Sequence, residues 1–293
     1  MKAKELIFDF LNTTKDIHEN INLKNYTYSI YDHEYFFNEI NDIREINKIY
    51  WEELLQRAHW AALCSSKRNF QWLKGIHIAI ENTNFLTFSA CLRCLLESSA
   101  DNLYSLINIP TTLAENKNII NSILTKNNTI DELYISEQLE NDLIHFTEGR
   151  KISNNEKLCY SNIPKEWVAK NASEYIKFFD KNSLNTKFQE LYGNLCQYTH
   201  PASYSIYYLF ENNFIDHQYK YSFSDNVEIK QINNILNDYN DEICYALQWG
   251  FNPGTLILKV LNYFNYELVK TPYLKKIEFI DSPLWLKIKD MLK

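Results

Sequence analysis

Along most of the chain, apolar residues recur at every third or fourth position, the spacing that lines one face of an α-helix. The clearest run is Phe85–Leu106, FLTFSACLRCLLESSADNLYSL. Phe85, Phe88, Leu92, Leu95, Leu96, Ser99, Leu103 and Leu106 make one broad face. Ala90, Cys91, Cys94, Ser98 and Ala100 are small enough to let neighbouring helices come close. The same spacing predicts helices over 3–20, 33–64, 70–80, 113–124, 184–199, 202–210, 229–249, 255–268 and 285–292. The polar run SSKRN at 65–69 reads as a break, and Gly250–Gly254 as a turn. Thr129 and Glu132 have capping-box spacing and open a helix that stops at Gly149. Pro164 suits the first turn of another helix, which uses Trp167, Tyr175, Ile176 and Phe179 as its apolar side.

Only NYTYSIY (25–31) and HQYKYSFSD (217–225) alternate as strands do. A lone strand leaves backbone groups unpaired, so 25–31 is expected to pair with 217–224. The fold class expected is all-α, a multi-helix bundle with one small two-stranded β-ribbon. With no repeat or low-complexity linker, residues 1–293 are expected to form a single domain.

Composition narrows this picture. Gly 5 and Pro 6 are few for 293 residues, which disfavours a turn-rich β fold. A net charge of −7 excludes a protein that coats nucleic acid through a basic surface, while leaving room for a local basic pocket. The six cysteines lie mostly within apolar helical patterns, as reduced thiols of a cytoplasmic protein would. The N-terminal MKAKELIFDFL lacks the cleavage pattern of a signal peptide. GTLILKVLNYF is interrupted by Lys259 and is too short to span a bilayer, so no membrane partner is expected.

Candidate chemistry is sparse. The histidines form no i, i+4 pair, Cys91 and Cys94 lie mid-helix, and no Gly-rich phosphate loop or G-x-S-x-G elbow occurs. No metal and no cofactor are expected. Two features remain. Arg93, Glu97, Asp101 and Tyr104 form a narrow polar stripe on the apolar central helix, and charges buried there need partners. His200 ends the helix in LYGNLCQYTHP, where an imidazole serves either as an acid–base group or as a cap on the last carbonyls.

Arg93, Leu95, Glu97 and Asp101, with Leu195, Cys196, His200 and Pro201, resemble an uncharacterised family of bacterial helical proteins. That family pairs an R-x-L-x-E-x-x-x-D helix with a later L-C-x-x-x-H-P helix end. The pairing is similar in style to the HEPN superfamily of α-helical domains, which includes toxin and antiviral ribonucleases. The resemblance spans roughly residues 50–210. It implies a HEPN-like core over about 34–210, with extensions 1–33 and 211–293 packed on it. HEPN ribonucleases carry an Arg followed, after four to six intervening residues, by a His on the same helix, whereas Gly193, Asn194 and Leu195 stand at those spacings before His200.

Two readings follow. In the first, the chain is a toxin or phage-defence protein, a metal-independent endoribonuclease acting on RNA. His200 moves the 2′-OH proton, Arg93 holds the phosphate, and Tyr192, Asn194 and Glu97 orient them. In the second, it is a non-catalytic helical module that binds a partner protein or a nucleotide, and the same residues form a polar network fixing helix register. The partners expected are RNA, a partner protein or antitoxin, and a second copy in a homo-oligomer. Both readings place Arg93 and His200 beside each other, because the helices 85–106 and 184–199 have matching apolar faces.

Overall fold

The computed structural model describes residues 2–22, 25–28, 40–125, 130–153, 167–182, 186–201, 203–276 and 282–293. They form an all-α bundle with one two-stranded antiparallel sheet. In chain order the elements are α1 (Ala3–Asn22), α2 (Ile43–Glu81), α3 (Phe85–Leu106), α4 (Ile109–Glu115), α5 (Lys117–Ile123), α6 (Glu137–Thr147), α7 (Ala172–Lys181), α8 (Phe188–Thr199) and α9 (Ser203–Tyr207). The hairpin β1 (Glu211–Ile215) and β2 (Gln218–Ser222) comes next. It is followed by α10 (Asp225–Asp238), α11 (Asn240–Leu261), two 3-10 turns at Glu267–Val269 and Pro272–Lys276, and α12 (Pro283–Met291). No helix among the described residues is long and apolar enough to cross a membrane.

Two compact units divide the chain. One takes residues 1–18, 67–104 and 171–251; the other takes 19–66, 105–170 and 252–293. The stretch 34–210 contributes to both, as do the segments before and after it.

In the first unit, Phe85, Phe88, Leu92 and Leu95 of α3 are fully buried, as are Phe188, Leu191 and Leu195 of α8. Side chains of this size contribute roughly 1.5–3 kcal/mol each on burial. Phe85 meets Tyr198 of α8 with ring centroids 5.2 Å apart. The small residues of α3 allow close approach: a methyl group added at Gly75 of α2 would lie 2.6 Å from Cys91 Sγ.

In the second unit, the N-terminal part of α2 holds an irregular segment by its backbone. Asn47 donates to Glu132 O at 2.8 Å and accepts from Tyr134 N at 2.8 Å, as a neighbouring strand would. The fully buried Trp51 donates to Tyr134 O at 2.9 Å. Ser136 then caps α6 by accepting from Leu139 N. Thr129, the cap read from the sequence, lies outside the described residues, and α6 opens eight residues later at Glu137.

Three further expectations are corrected. α2 runs unbroken through SSKRN, because those polar side chains have interior partners. Ser66 and Asn69 are buried, Ser65 donates to Ala62 O at 3.0 Å, and Arg68 is ion-paired. α11 runs unbroken through Gly250, Pro253 and Gly254. These glycines permit close packing instead of a turn: a methyl group would lie 2.7 Å from Ser99 Oγ at Gly250, and 2.9 Å from Ser65 Oγ at Gly254. The Gly250 carbonyl, three residues before the proline, accepts from Asn69 and from Asn102, the latter at 2.8 Å.

The third correction concerns the ribbon. β2 pairs with β1, in the register Phe214↔Tyr219 and Asn212↔Tyr221, and not with 25–28. Residues 25–28 are not strand, and 29–31 lie outside the described residues. The hairpin turn is Asp216–His217, both at positive φ (50° and 64°), as a two-residue turn matched to strand twist requires.

Several helix boundaries also move. Residues 40–42 are not helical, so α2 starts at Ile43, and 33–39 lie outside the described residues, as do Pro164, 183–185 and Ala202. α7 opens at Ala172, with an Asn171–Glu174 capping box. Trp167 therefore precedes that helix and is exposed. The stretch 229–249 divides between α10 and α11 at Tyr239, and α11 ends at Leu261.

Candidate functional site

In the polar stripe of α3, Arg93 and Glu97 are half-buried, Asp101 is buried and Tyr104 is exposed, and together they reach three neighbouring helices. Arg93 Nη1 donates to Thr199 Oγ1 of α8 at 2.9 Å, and its Nε lies 3.4 Å from Glu97 Oε1 one turn along. Glu97 in turn accepts from the Tyr192 hydroxyl of α8 at 2.9 Å. Thr199 Oγ1 in turn donates to Leu195 O at 2.8 Å. Thr199, Arg93, Glu97 and Tyr192 are thus linked in series into one polar circuit that bridges α3 and α8. Burial, reinforced by the neighbouring Glu97 carboxylate, pushes the Tyr192 hydroxyl well above the usual phenol range, so it stays a donor.

Further along the stripe, Asp101 is 7% exposed and accepts from Arg68 of α2 at 2.7 Å. The same Arg68 nitrogen reaches Asn102 Oδ1 at 3.0 Å. Tyr104 meets Tyr175 and Phe178 of α7 edge-on, at 5.6 and 5.0 Å. The stripe thus fastens α3 to α8, α2 and α7 in succession. The cost of burying its charges is offset by ion pairing and hydrogen bonds.

The other two residues read as site members lie in different surroundings. Asn194 donates to the Tyr239 hydroxyl at 2.8 Å, and Tyr239 donates to Glu190 at 2.8 Å. Burial and that carboxylate push the Tyr239 hydroxyl up to about 12. His200 is the C-cap of α8. Its backbone N–H donates to Cys196 O at 2.9 Å, and its side chain is exposed, without a hydrogen-bond partner among the described residues. The helix pairing therefore brings Arg93, Glu97 and Tyr192 into one circuit, gives Asn194 to a second one, and leaves the His200 ring in solvent.

Two participants escaped sequence reading. Thr199 looks like an ordinary helix-end residue, and Arg68 sits in a polar run that reads as a break. Both could have been sought by asking which donors satisfy the stripe. Cys91 and Cys94 are not in disulfides, nor are Cys64, Cys196 and Cys244, and Cys159 lies outside the described residues. Among the described residues no group of three or more His, Cys, Asp or Glu side chains could hold a metal ion.

A second surface stands out by its chemistry. All ten residues of the β1–β2 hairpin are exposed. Because residues opposite in an antiparallel pair share a face, Asn212, Phe214, Tyr219 and Tyr221 lie on one side, while Glu211, Asn213, Lys220 and Ser222 lie on the other. Ring contacts link the aromatic side into a continuous series. Tyr207 meets Phe210 at 5.9 Å, Phe210 meets Tyr221 at 5.0 Å and Phe223 at 5.5 Å, and Phe214 meets Tyr219 at 4.9 Å. Phe214 is 60% exposed, Tyr219 62% and Phe223 72%.

No family model, curated protein or solved structure matches the chain.

Proposed function

We propose that this protein is a non-catalytic helical module that binds a partner protein through the aromatic face of its hairpin. The observation that carries this reading is the linked series of exposed rings from Tyr207 to Phe223. Water-soluble surfaces seldom leave so many large apolar side chains together unless something covers them. Aromatic residues, tyrosine among them, are enriched where proteins meet. On this reading the Arg93–Glu97–Tyr192–Thr199 circuit is a fastener between α3 and α8.

The alternative, a HEPN-like toxin or defence ribonuclease using Arg93 and His200, asks more of the same residues. Arg93 would have to leave Thr199 and Glu97 to hold a phosphate. Asn194 would have to leave Tyr239. The exposed His200 ring would need a substrate to orient it. An acidic chain offers little general attraction for RNA.

The test is photo-crosslinking in the host cell, with a photoreactive residue placed at Tyr219 on the aromatic face or at Lys220 on the opposite face. The expected result is a protein adduct from position 219 and none from 220. Equal labelling at both, or no adduct at either, would overturn the reading.

A further inference from the structure

We infer that the partner covering the aromatic face is a second copy of this chain, packed face to face about a two-fold axis. This inference rests on the binding reading above and adds the identity of the occupant.

Area is the first argument. Tyr207, Phe214, Tyr219, Tyr221 and Phe223 are each more than half exposed, as are Tyr204 and Ile206 just before them. The five rings of the series present roughly 100 Å² each at this exposure, on the order of 500 Å² per copy. A standard interface takes about 800 Å² from each partner, so this face supplies more than half of one.

Charge is the second. A two-fold interface sets the same patch against itself, so any charge within it meets its like. The strand register puts Glu211 and Lys220 on the far side and leaves Asn212 as the only polar strand residue among the rings. A primary amide carries both donors and an acceptor, so Asn212 of one copy can pair with Asn212 of the other. The neighbouring charges are mainly acidic, with Asp216 at the turn and Asp225 and Glu228 opening α10. That balance suits neither an RNA backbone nor an anionic membrane, the other common partners of an aromatic platform.

Stability is the third. A two-stranded ribbon with both faces in water is marginal, and packing on a third layer is what ordinarily secures one. Beyond its own ladder, an exposed Lys230–Glu211 pair at 3.5 Å adds little to the hairpin. Two hairpins packed through their aromatic sides supply each other with that layer.

The experiment is sedimentation velocity on the purified full chain from about 1 to about 100 μM, within the range over which interfaces of this size dissociate. The expected result is a species of twice 34.9 kDa that shifts to 34.9 kDa on dilution or in the Phe214→Ser, Tyr221→Ser double variant. That variant should keep its helical circular dichroism, since both positions are exposed. Lys220→Ser on the opposite face should leave the dimer intact. A wild type that stays at 34.9 kDa throughout, or a double variant that still dimerises, would overturn the inference. The crosslink at position 219 separates the two failures. An adduct with a different protein removes the second copy and leaves the binding surface, while no adduct removes both.

Discussion

Arg93 of α3 and Thr199 of α8 are 106 positions apart in sequence and joined by a 2.9 Å hydrogen bond between Nη1 and Oγ1. The bond lets a charged side chain sit in an apolar helix, because the guanidinium is shared between a hydroxyl and the Glu97 carboxylate. Truncating Arg93 to Ala should destabilise the fold by about 1–2 kcal/mol, discounted from a buried pair because both partners of the ion pair keep partial contact with water. Combined with Thr199→Val in a double-mutant cycle, a coupling of about 0.5–1.5 kcal/mol is expected in urea unfolding. Strict additivity would mean that the bond fastens nothing.

Gly254 should not tolerate a methyl group. Alanine is the better helix former by about 1 kcal/mol. Here, however, its Cβ would meet the Ala62 carbonyl oxygen at 3.1 Å as well as Ser65 Oγ at 2.9 Å, and backbone cannot swing aside. Gly254→Ala is expected to lower stability by about 1–2 kcal/mol net of the propensity gain. An unchanged or raised melting temperature would show that α2 and α11 separate easily there.

Thr83 offers the opposite case. Its φ of 53° puts a β-branched residue in the left-handed region at the end of α2. Asn84 N donates to Ala79 O and Thr83 N to Ile80 O, the bonding of a Schellman cap in which glycine is usual. Thr83→Gly should raise stability by about 1 kcal/mol, read as a higher denaturation midpoint with unchanged slope. A loss of stability would show that the threonine side chain makes a compensating contact.

His18 should make the fold acid-sensitive. It is 2% exposed and stacks on Phe70 at 3.8 Å, and neither ring nitrogen has a hydrogen-bond partner among the described residues. Burial first, and Lys67 second, lower its pKa to about 4 from 6.5. With the folded-state pKa depressed, the unfolded chain takes up the proton first. The contribution of His18 is complete above pH 6.5 and is lost progressively as pH falls towards 4. His18→Leu should flatten that limb of the stability curve by up to about 3 kcal/mol. An acid limb unchanged by the substitution would place the sensitivity elsewhere.

Much of this structure is legible in the residues, and the failures share a cause. The helix Phe85–Leu106 is delimited from sequence because its apolar period, the Asn82–Asn84 turn and Pro110 all agree. Arg93–Glu97 is legible because i, i+4 spacing alone brings the pair together. Polarity misled at SSKRN, where Asn69 and Arg68 find partners brought close only by the fold. Glycine misled at 250 and 254, where its lack of a side chain serves close packing and its backbone freedom is unused. β1 was missed because ENNFI shows a single apolar alternation, and a turn of Asp216 and His217 lacks the glycine that usually announces a hairpin. The aromatic face becomes apparent only once that register is known.

The binding and nuclease readings differ most sharply in whether Arg93 and His200 do chemistry on RNA. The most direct measurement compares RNA integrity and growth in the host on induction of the wild type, His200→Ala, and Phe214→Ser with Tyr221→Ser. The account predicts intact RNA in all three, with any growth effect of the wild type retained by His200→Ala and lost in the aromatic-face variant. Discrete RNA fragments with the wild type that vanish with His200→Ala would contradict it and establish the nuclease reading.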